Sequence, residues 1–253
     1  MSEDLNHLVK KYSIKHERTL KRICAPLHDL NITEFGYVLV KSDGSFCNIN
    51  TLPAFLEYFY ANEMGNSQPY FSHPDLFQSG YTLTQACIEP IFQKKCEAKF
   101  NIGSFLCKLL KHQNYMELFL FHPPITQSKK CLKYLNHIYL LDKFATYFKQ
   151  EAKAIITKAM EEGYNILKNR GPAFYEASSN IKLLNNDFKT QQFLKKISPL
   201  TIREHQCLEL FKKGRSAQAT AAILDLSQRT VEHYFENIKV KLKCQSKMEL
   251  LER

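Results

Sequence analysis

The sequence has no tryptophan, no run of 18 apolar residues and no Cys-x-x-Cys pair. Without such a run no membrane-spanning helix is expected. The eight cysteines are Cys24, Cys47, Cys87, Cys96, Cys107, Cys131, Cys207 and Cys244, and their spacings do not suit zinc. The nine histidines form no His-x-His and no His-Glu-x-x-His. No metal and no cofactor is therefore expected. The start, Met1-Ser2-Glu3-Asp4, is polar with no apolar stretch behind it, unlike a signal peptide. A chain without that signal is read as cytoplasmic, with its cysteines as reduced thiols filling small core positions. No nucleophile stands at a motif spacing from a base, so no enzyme and no catalytic residue is expected.

What is present fits a soluble chain of two domains. The 253 residues exceed one small domain, and 44% hydrophobic with 24% charged is ordinary for globular proteins. The formal net charge of +10 favours a polyanionic partner. That charge does not locate the partner's site. Ten basic and seven acidic residues follow Pro199 or adjoin it from Ser198 on, and the remaining 25 basic and 18 acidic residues precede them.

The most informative stretch is 198–253. Thr201-Ile202-Arg203-Glu204 has the form of a capping box, and Gly214 sits where the helix it opens should stop. Ser216 can cap a second helix, Ala217 to Leu224, rich in alanine and so able to cross a neighbour closely. Ser227 can cap a third. There Val231, Tyr234, Phe235, Ile238 and Leu242 form one apolar stripe, and the other faces are dense in hydrogen-bonding groups. A short last helix is expected near Gln245 to Leu251. Four helices with a tight turn between the second and third make a helix-turn-helix, whose third helix suits a major groove.

Leu200-Thr201-x-Arg203-Glu204, Gly214, Ala221-x-x-Leu224, Ser227-x-x-Thr230-Val231-Glu232 and Lys241-Leu242 together resemble the LuxR/GerE-type DNA-binding module. The likeness covers about 55 residues without a gap. Three positions depart from the family pattern: Ile202 stands in place of Pro, Thr220 in place of an apolar core residue, and Tyr234 in place of His. The resemblance implies a bacterial transcription regulator that binds double-stranded DNA as a homodimer, with RNA polymerase and a small-molecule ligand open as further partners. It implies base reading just after the Thr-Val pair and one turn later, at Glu232, His233 and Glu236, with Asn237 beside them.

The residue chemistry adds phosphate contacts. Ser227, Gln228 and Thr230 stand near a helix N-terminus, where backbone N–H groups point outward. Arg229, Lys239, Lys241 and Lys243 are candidate phosphate cations. Lys241 can instead pair locally, and Glu232 and Glu236 can be a merely solvated face.

The first 170 residues read as an α+β domain. Residues 1–30 have helical spacing. Phe35 to Val40, the turn Lys41-Ser42-Asp43-Gly44-Ser45 and Phe46 to Ile49 form a hairpin. Leu52 to Tyr60 reads as a short aromatic helix, and Gly65 to Pro74 as a loop. Ile102 to Leu110 and Tyr115 to Phe121 form a second hairpin. Residues 131–168 read as one long helix carrying a heptad stripe: Tyr134, Ile138, Leu141, Ala145, Phe148, Ala152, Ile155 and Ala159. That stripe packs either on its own sheet or on a second copy of the chain. Residues 171–197 read as a polar linker before the 198–253 module.

This layout suits a sensor domain of PAS or GAF type, or the αβα autoinducer-binding domain that often accompanies the LuxR module. The absence of tryptophan speaks against an acyl-homoserine lactone, whose pocket in that family is lined by tryptophans. A phosphoreceiver is excluded by the missing βα alternation. Phe55, Tyr58, Phe59, Tyr70 and Phe71 are the candidate ligand-binding side chains. Two functions follow: a signal-controlled, sequence-specific DNA-binding regulator, or a protein-interaction regulator whose helix-turn-helix binds a protein.

Overall fold

The computed structural model describes residues 5, 7–62, 69–83, 90–128, 138–178, 181, 200 and 202–251. The chain divides into two units, Met1–Gln192 and Phe193–Arg253.

The first unit is built on an antiparallel sheet of six strands in the order β3-β4-β5-β1-β2-β6. The strands are β1 (Glu34–Lys41), β2 (Ser45–Asn50), β3 (Gly80–Leu83), β4 (Leu106–Lys111), β5 (Tyr115–His122) and β6 (Tyr164–Asn165). The helices are α1 (Glu17–Cys24), α2 (Pro53–Ala61), α3 (Pro90–Phe100), α4 (Ile138–Glu151) and α5 (Lys153–Glu161). The β1–β2 hairpin closes as its turn residues require. Gly44 takes φ +82°, the left-handed region open to glycine, and Asp43 Oδ1 accepts a hydrogen bond from the Ser45 N–H at 2.8 Å.

β1 and β5 are buried nearly end to end, so the sheet is covered on both faces. Alternation divides the residues between the layers. Phe35, Tyr37, Phe119 and Phe121 face one side. There Phe148 of α4 approaches Phe35 to 4.7 Å between ring centroids and Tyr37 to 5.5 Å, and Phe144 approaches Phe35 to 5.1 Å. A buried carboxylate, Glu117, lies on the same face. It accepts hydrogen bonds from the Tyr37 hydroxyl at 2.7 Å and the Lys149 ammonium at 2.8 Å, and its other contact is His112 Nε2 at 3.0 Å. Lys149 thus ties α4 to the sheet. The opposite face carries Val38, Val40, Phe46, Leu118 and Cys107 beneath α2 and residues 70–71.

Several expectations change. The helix expected over 131–168 is two helices, α4 and α5, that meet at Ala152, where φ −91° and ψ 5° leave the helical well. The backbone bonds continue through the bend, from Ala152 N–H to the Phe148 carbonyl and from Ile156 N–H to the Ala152 carbonyl. Neither Gly nor Pro stands there, so no local signal marks it. After Glu161 the chain enters β6, which pairs with β2. Leu141, Ala145, Phe148, Ala152, Ile155 and Ala159 are all buried within this unit and Ile138 is half-buried, so most of the stripe is used on its own sheet; Tyr134 lies outside the described residues. The second hairpin begins at Leu106, because Ile102 forms only an isolated bridge to Pro124. The stretch expected as linker from 171 starts inside the fold: Phe174 and Ile181 are fully buried in the core of the first unit. Most of 179–197 lies outside the described residues. Residues 9–30 are helical in three pieces, Val9–Ile14, α1 and the 3₁₀ turn Ala25–Leu30 that holds Pro26.

The second unit holds α6 (Ile202–Lys212), α7 (Ala217–Leu224), α8 (Gln228–Leu242) and a 3₁₀ turn, Met248–Leu251, in place of the fourth helix expected. Its core is Cys207, Leu208, Ala221, Val231, Phe235, Ile238, Cys244 and Leu250. Thr220 is fully buried, and its hydroxyl has no hydrogen-bond partner. Such a group has lost its hydration without replacement, at about 1–3 kcal/mol. Thr220→Val keeps the shape and removes that loss. It should stabilise this unit by about 1 kcal/mol, read as slower amide exchange over 202–251; faster exchange would show that the hydroxyl is satisfied.

The six cysteines among the described residues, Cys24, Cys47, Cys96, Cys107, Cys207 and Cys244, are free and buried. Burial pushes the Cys207 and Cys96 thiols up to about 11 and the Cys47 thiol up to about 12, away from reactive thiolate. Among the described residues no helix is long and apolar enough to cross a membrane, and no cluster of three His, Cys, Asp or Glu could hold a metal.

Candidate nucleic-acid interface and N-terminal cavity

The turn between α7 and α8 is made by Asp225, Leu226 and Ser227. Asp225 takes φ 54°, and the Leu226 N–H returns to the Ala221 carbonyl at 2.9 Å, closing α7. Ser216 caps α7, its Oγ accepting from the Ala219 N–H at 3.1 Å. Ser227 caps α8 in the same way, accepting from the Thr230 N–H at 3.0 Å. The Ser227 and Thr230 hydroxyls also bond each other at 2.7 Å. The start of α8 is therefore a rigid ring of two hydroxyls beside the positive end of a 15-residue helix.

Val231, Phe235 and Ile238 bury one stripe of α8. Helical spacing then places Arg229, His233, Glu236 and Val240 along the middle of the opposite face. Arg229, Glu232, His233 and Glu236 are exposed, and Asn237 is half-buried. The two acids have partners on their own helix. Gln228 Nε2 donates to Glu232 Oε1 at 2.8 Å, and the Lys239 ammonium lies 2.7 Å from Glu236. Both pairs join successive turns of one face. Val240, 78% exposed, belongs to this face and was not singled out from the sequence. Its place opposite Val231 and Ile238 was the available signal.

Lys241, a candidate phosphate cation, is paired within the module. Its ammonium donates to both oxygens of Glu204, at 2.9 and 2.7 Å, and ties α8 to α6. The Glu204 side chain is only 3% exposed. The carboxylate read as part of a capping box thus has a long-range partner, while Thr201 lies outside the described residues. Arg229, Lys239 and Lys243 remain on the surface of α8 and its C-cap, with Lys239 shared with Glu236.

In the first unit a cavity lies between the sheet and α2, with Phe55, Leu56, Phe59, Tyr70, Phe71 and Phe105 on its apolar walls. Traced by the centres of water-sized molecules, its volume is about 60 Å³. Its sheet side is Val38, Asn48, Asn50, Leu120 and His122, which alternation brings to one face from β1, β2 and β5. Four of the five aromatic residues singled out from the sequence line it. Tyr58 does not: its ring packs on Phe100 at 5.4 Å, with the Lys99 ammonium 4.3 Å from its centroid. His122 is 2% exposed, and burial pushes its pKa down to about 3, so the imidazole is neutral. Its ring packs against Phe105, tilted, at 4.2 Å between centroids. Asn48 Nδ2 donates to the Tyr60 hydroxyl at 2.9 Å, while its Oδ1 has no partner.

A capped three-residue turn between two helices, with the second exposing a polar face, defines a helix-turn-helix domain behind an α+β domain. Residues 198–252 match the family model described as "GerE: Bacterial regulatory proteins, luxR family", and this segment is a LuxR-family GerE domain. No curated protein matches the chain by sequence. Among solved structures, the chain is similar to Escherichia coli SdiA in space group P6522 at 13% identity, with 93% of this chain and 88% of that chain covered and a TM-score of 0.36. A structure described as "SdiA in complex with octanoyl-rac-glycerol" is similar at 13% identity, over 93% of this chain and 85% of that one, with a TM-score of 0.35.

Proposed function

We propose that the protein is a sequence-reading transcription regulator of the bacterial cytoplasm. The 198–253 module binds double-stranded DNA through α8, and the first unit receives the signal that controls it. The observation that carries this reading is the capped N-terminus of α8 beside an exposed face of Arg229, Glu232, His233 and Glu236, within a GerE domain. The cap supplies hydroxyl and backbone donors for a phosphate. The exposed face supplies base-reading groups. A carboxylate accepts from cytosine N4, and the Gln228 amide can pair with adenine once it leaves Glu232.

The protein acts as a homodimer on a two-fold site, with RNA polymerase as a downstream partner. The first unit, with Phe174 and Ile181 in its core, forms the sensing part, and the polar stretch that follows, before 198, is the linker. Selection of full-length protein on random duplex DNA at near-physiological salt tests this. An enriched inverted repeat, with half-sites about ten base pairs apart, is the expected result. Enrichment by the 198–253 module alone would mean that the first unit restrains it. No enrichment from either would favour the alternative, a module that binds a protein partner. The internal pairing of Glu232 and Glu236 and the loss of Lys241 to Glu204 are the observations on that side.

Two substitutions separate positioning from reading. Thr230→Ala should weaken binding to all sequences alike, by about 1 kcal/mol, the scale of one hydrogen bond. Glu232→Ala should change preference at one base pair by about 1–2 kcal/mol and leave the others unmoved. If both variants bind every sequence as the parent does, α8 is not the reading helix.

A further inference from the structure

His122 lies on the wall of the cavity with both ring nitrogens lacking a hydrogen-bond partner. A neutral imidazole has one N–H to donate and one nitrogen to accept with. Leaving both unused inside an apolar layer is costly, since each has lost its water. Asn48 Oδ1, on the same wall, is a further unused acceptor. The lining residues include no charged side chain, so nothing there offsets the burial of an ionic ligand. The walls are flat: Phe55, Phe59, Tyr70, Phe71 and Phe105 present rings. The 60 Å³ open to the centres of water-sized molecules is above the roughly 10–15 Å³ that a single water needs, so the space suits a small compact molecule rather than a long chain.

We propose that this cavity binds an uncharged molecule of one aromatic ring whose hydroxyl or ring N–H is held by His122, with Asn48 as a second acceptor. The proposal rests on the reading of the first unit as the signal-receiving part, and it names the class of signal. The rings give the ligand its affinity, and His122 selects for a group that can hydrogen-bond to a ring nitrogen.

The test uses full-length protein and four probes by calorimetric titration: phenol, toluene, benzoate at neutral pH and N-octanoyl homoserine lactone. Phenol should bind, toluene about tenfold more weakly for lack of one hydrogen bond, and benzoate and the lactone not measurably. His122→Phe should lower phenol to the toluene level without changing toluene, and His122→Gln, which keeps a donor and an acceptor, should recover phenol. Equal binding of phenol and toluene, stronger binding of benzoate, or binding of the lactone alone would overturn the proposal. The probe series on the parent protein decides this even if the variants do not fold. DNA binding is followed in the same samples. Phenol that binds without altering it would leave the site standing and sink the signalling role. No binding by any probe, with DNA binding intact, would sink the site and leave the DNA-binding reading standing.

Discussion

Lys241→Met should destabilise the second unit by about 3 kcal/mol, the low end of the cost of stranding a buried carboxylate. Glu204 is 3% exposed, and the Lys241 ammonium reaches both of its oxygens. Removing the cation takes away the ammonium that reaches both oxygens of that buried carboxylate. The Lys241 side chain is itself 33% exposed, so water can reach part of the site and moderates the loss. Replacing both partners, with Glu204→Leu added to Lys241→Met, should return most of the stability, because two apolar side chains fill the space without a charge to desolvate. Amide exchange over 202–251 reads this unit separately from the first, which a single unfolding midpoint would not. DNA binding gives the opposing outcome. If Lys241→Met leaves exchange unchanged and lowers the slope of log affinity against log salt by about one, Lys241 is a phosphate contact after all.

Phe148→Ala should destabilise the first unit by about 4 kcal/mol, as expected for an aromatic ring removed from a packed core. Phe148 is 1% exposed and sits against Phe35, Tyr37 and Phe144. The relaxed structure cannot fill that space, because Phe35 and Tyr37 are fixed by their strand and Tyr37 is held through its hydroxyl by Glu117. Urea unfolding with solution mass measured beside it distinguishes this role from a dimer seam. A seam residue would instead lower the mass to that of a monomer and leave the fold of the first unit nearly as stable. Light scattering on Phe148→Ala at matched concentration separates the two, and a monomeric, fully stable variant would return the stripe to the dimer.

The helix-turn-helix was readable because its signals are short in range. Ser216 and Ser227 each cap a helix through a bond to the residue three positions on, and Asp43-Gly44 closes a hairpin within five residues. The run of strand formers in 35–40, and the apolar segments on either side of 111–114, likewise placed central strands. The aromatic cluster around 55–71 was visible as composition, yet Tyr58 differs from Phe55 and Phe59 only in which side of α2 it occupies relative to the sheet. His122 had no local mark at all. It matters because strands far apart in sequence bring it beside Asn48 and Phe55.

The sequence by itself determined where the helices of the second unit begin, the strands of the two hairpins, and the LuxR type of the last 55 residues. Each of these depends on residues within about one turn of one another, where backbone geometry and a single side-chain bond decide the outcome. Only the tertiary structure decided that Lys241 pairs with Glu204, that the 138–161 stripe covers its own sheet, and that the aromatic cluster encloses a cavity with an unsatisfied histidine. These are choices of partner between segments distant in the chain, 37 residues apart for Lys241 and Glu204. A lysine or an apolar stripe has the same local pattern whichever partner it meets, and the nearest buried partner in the fold is the one that prevails.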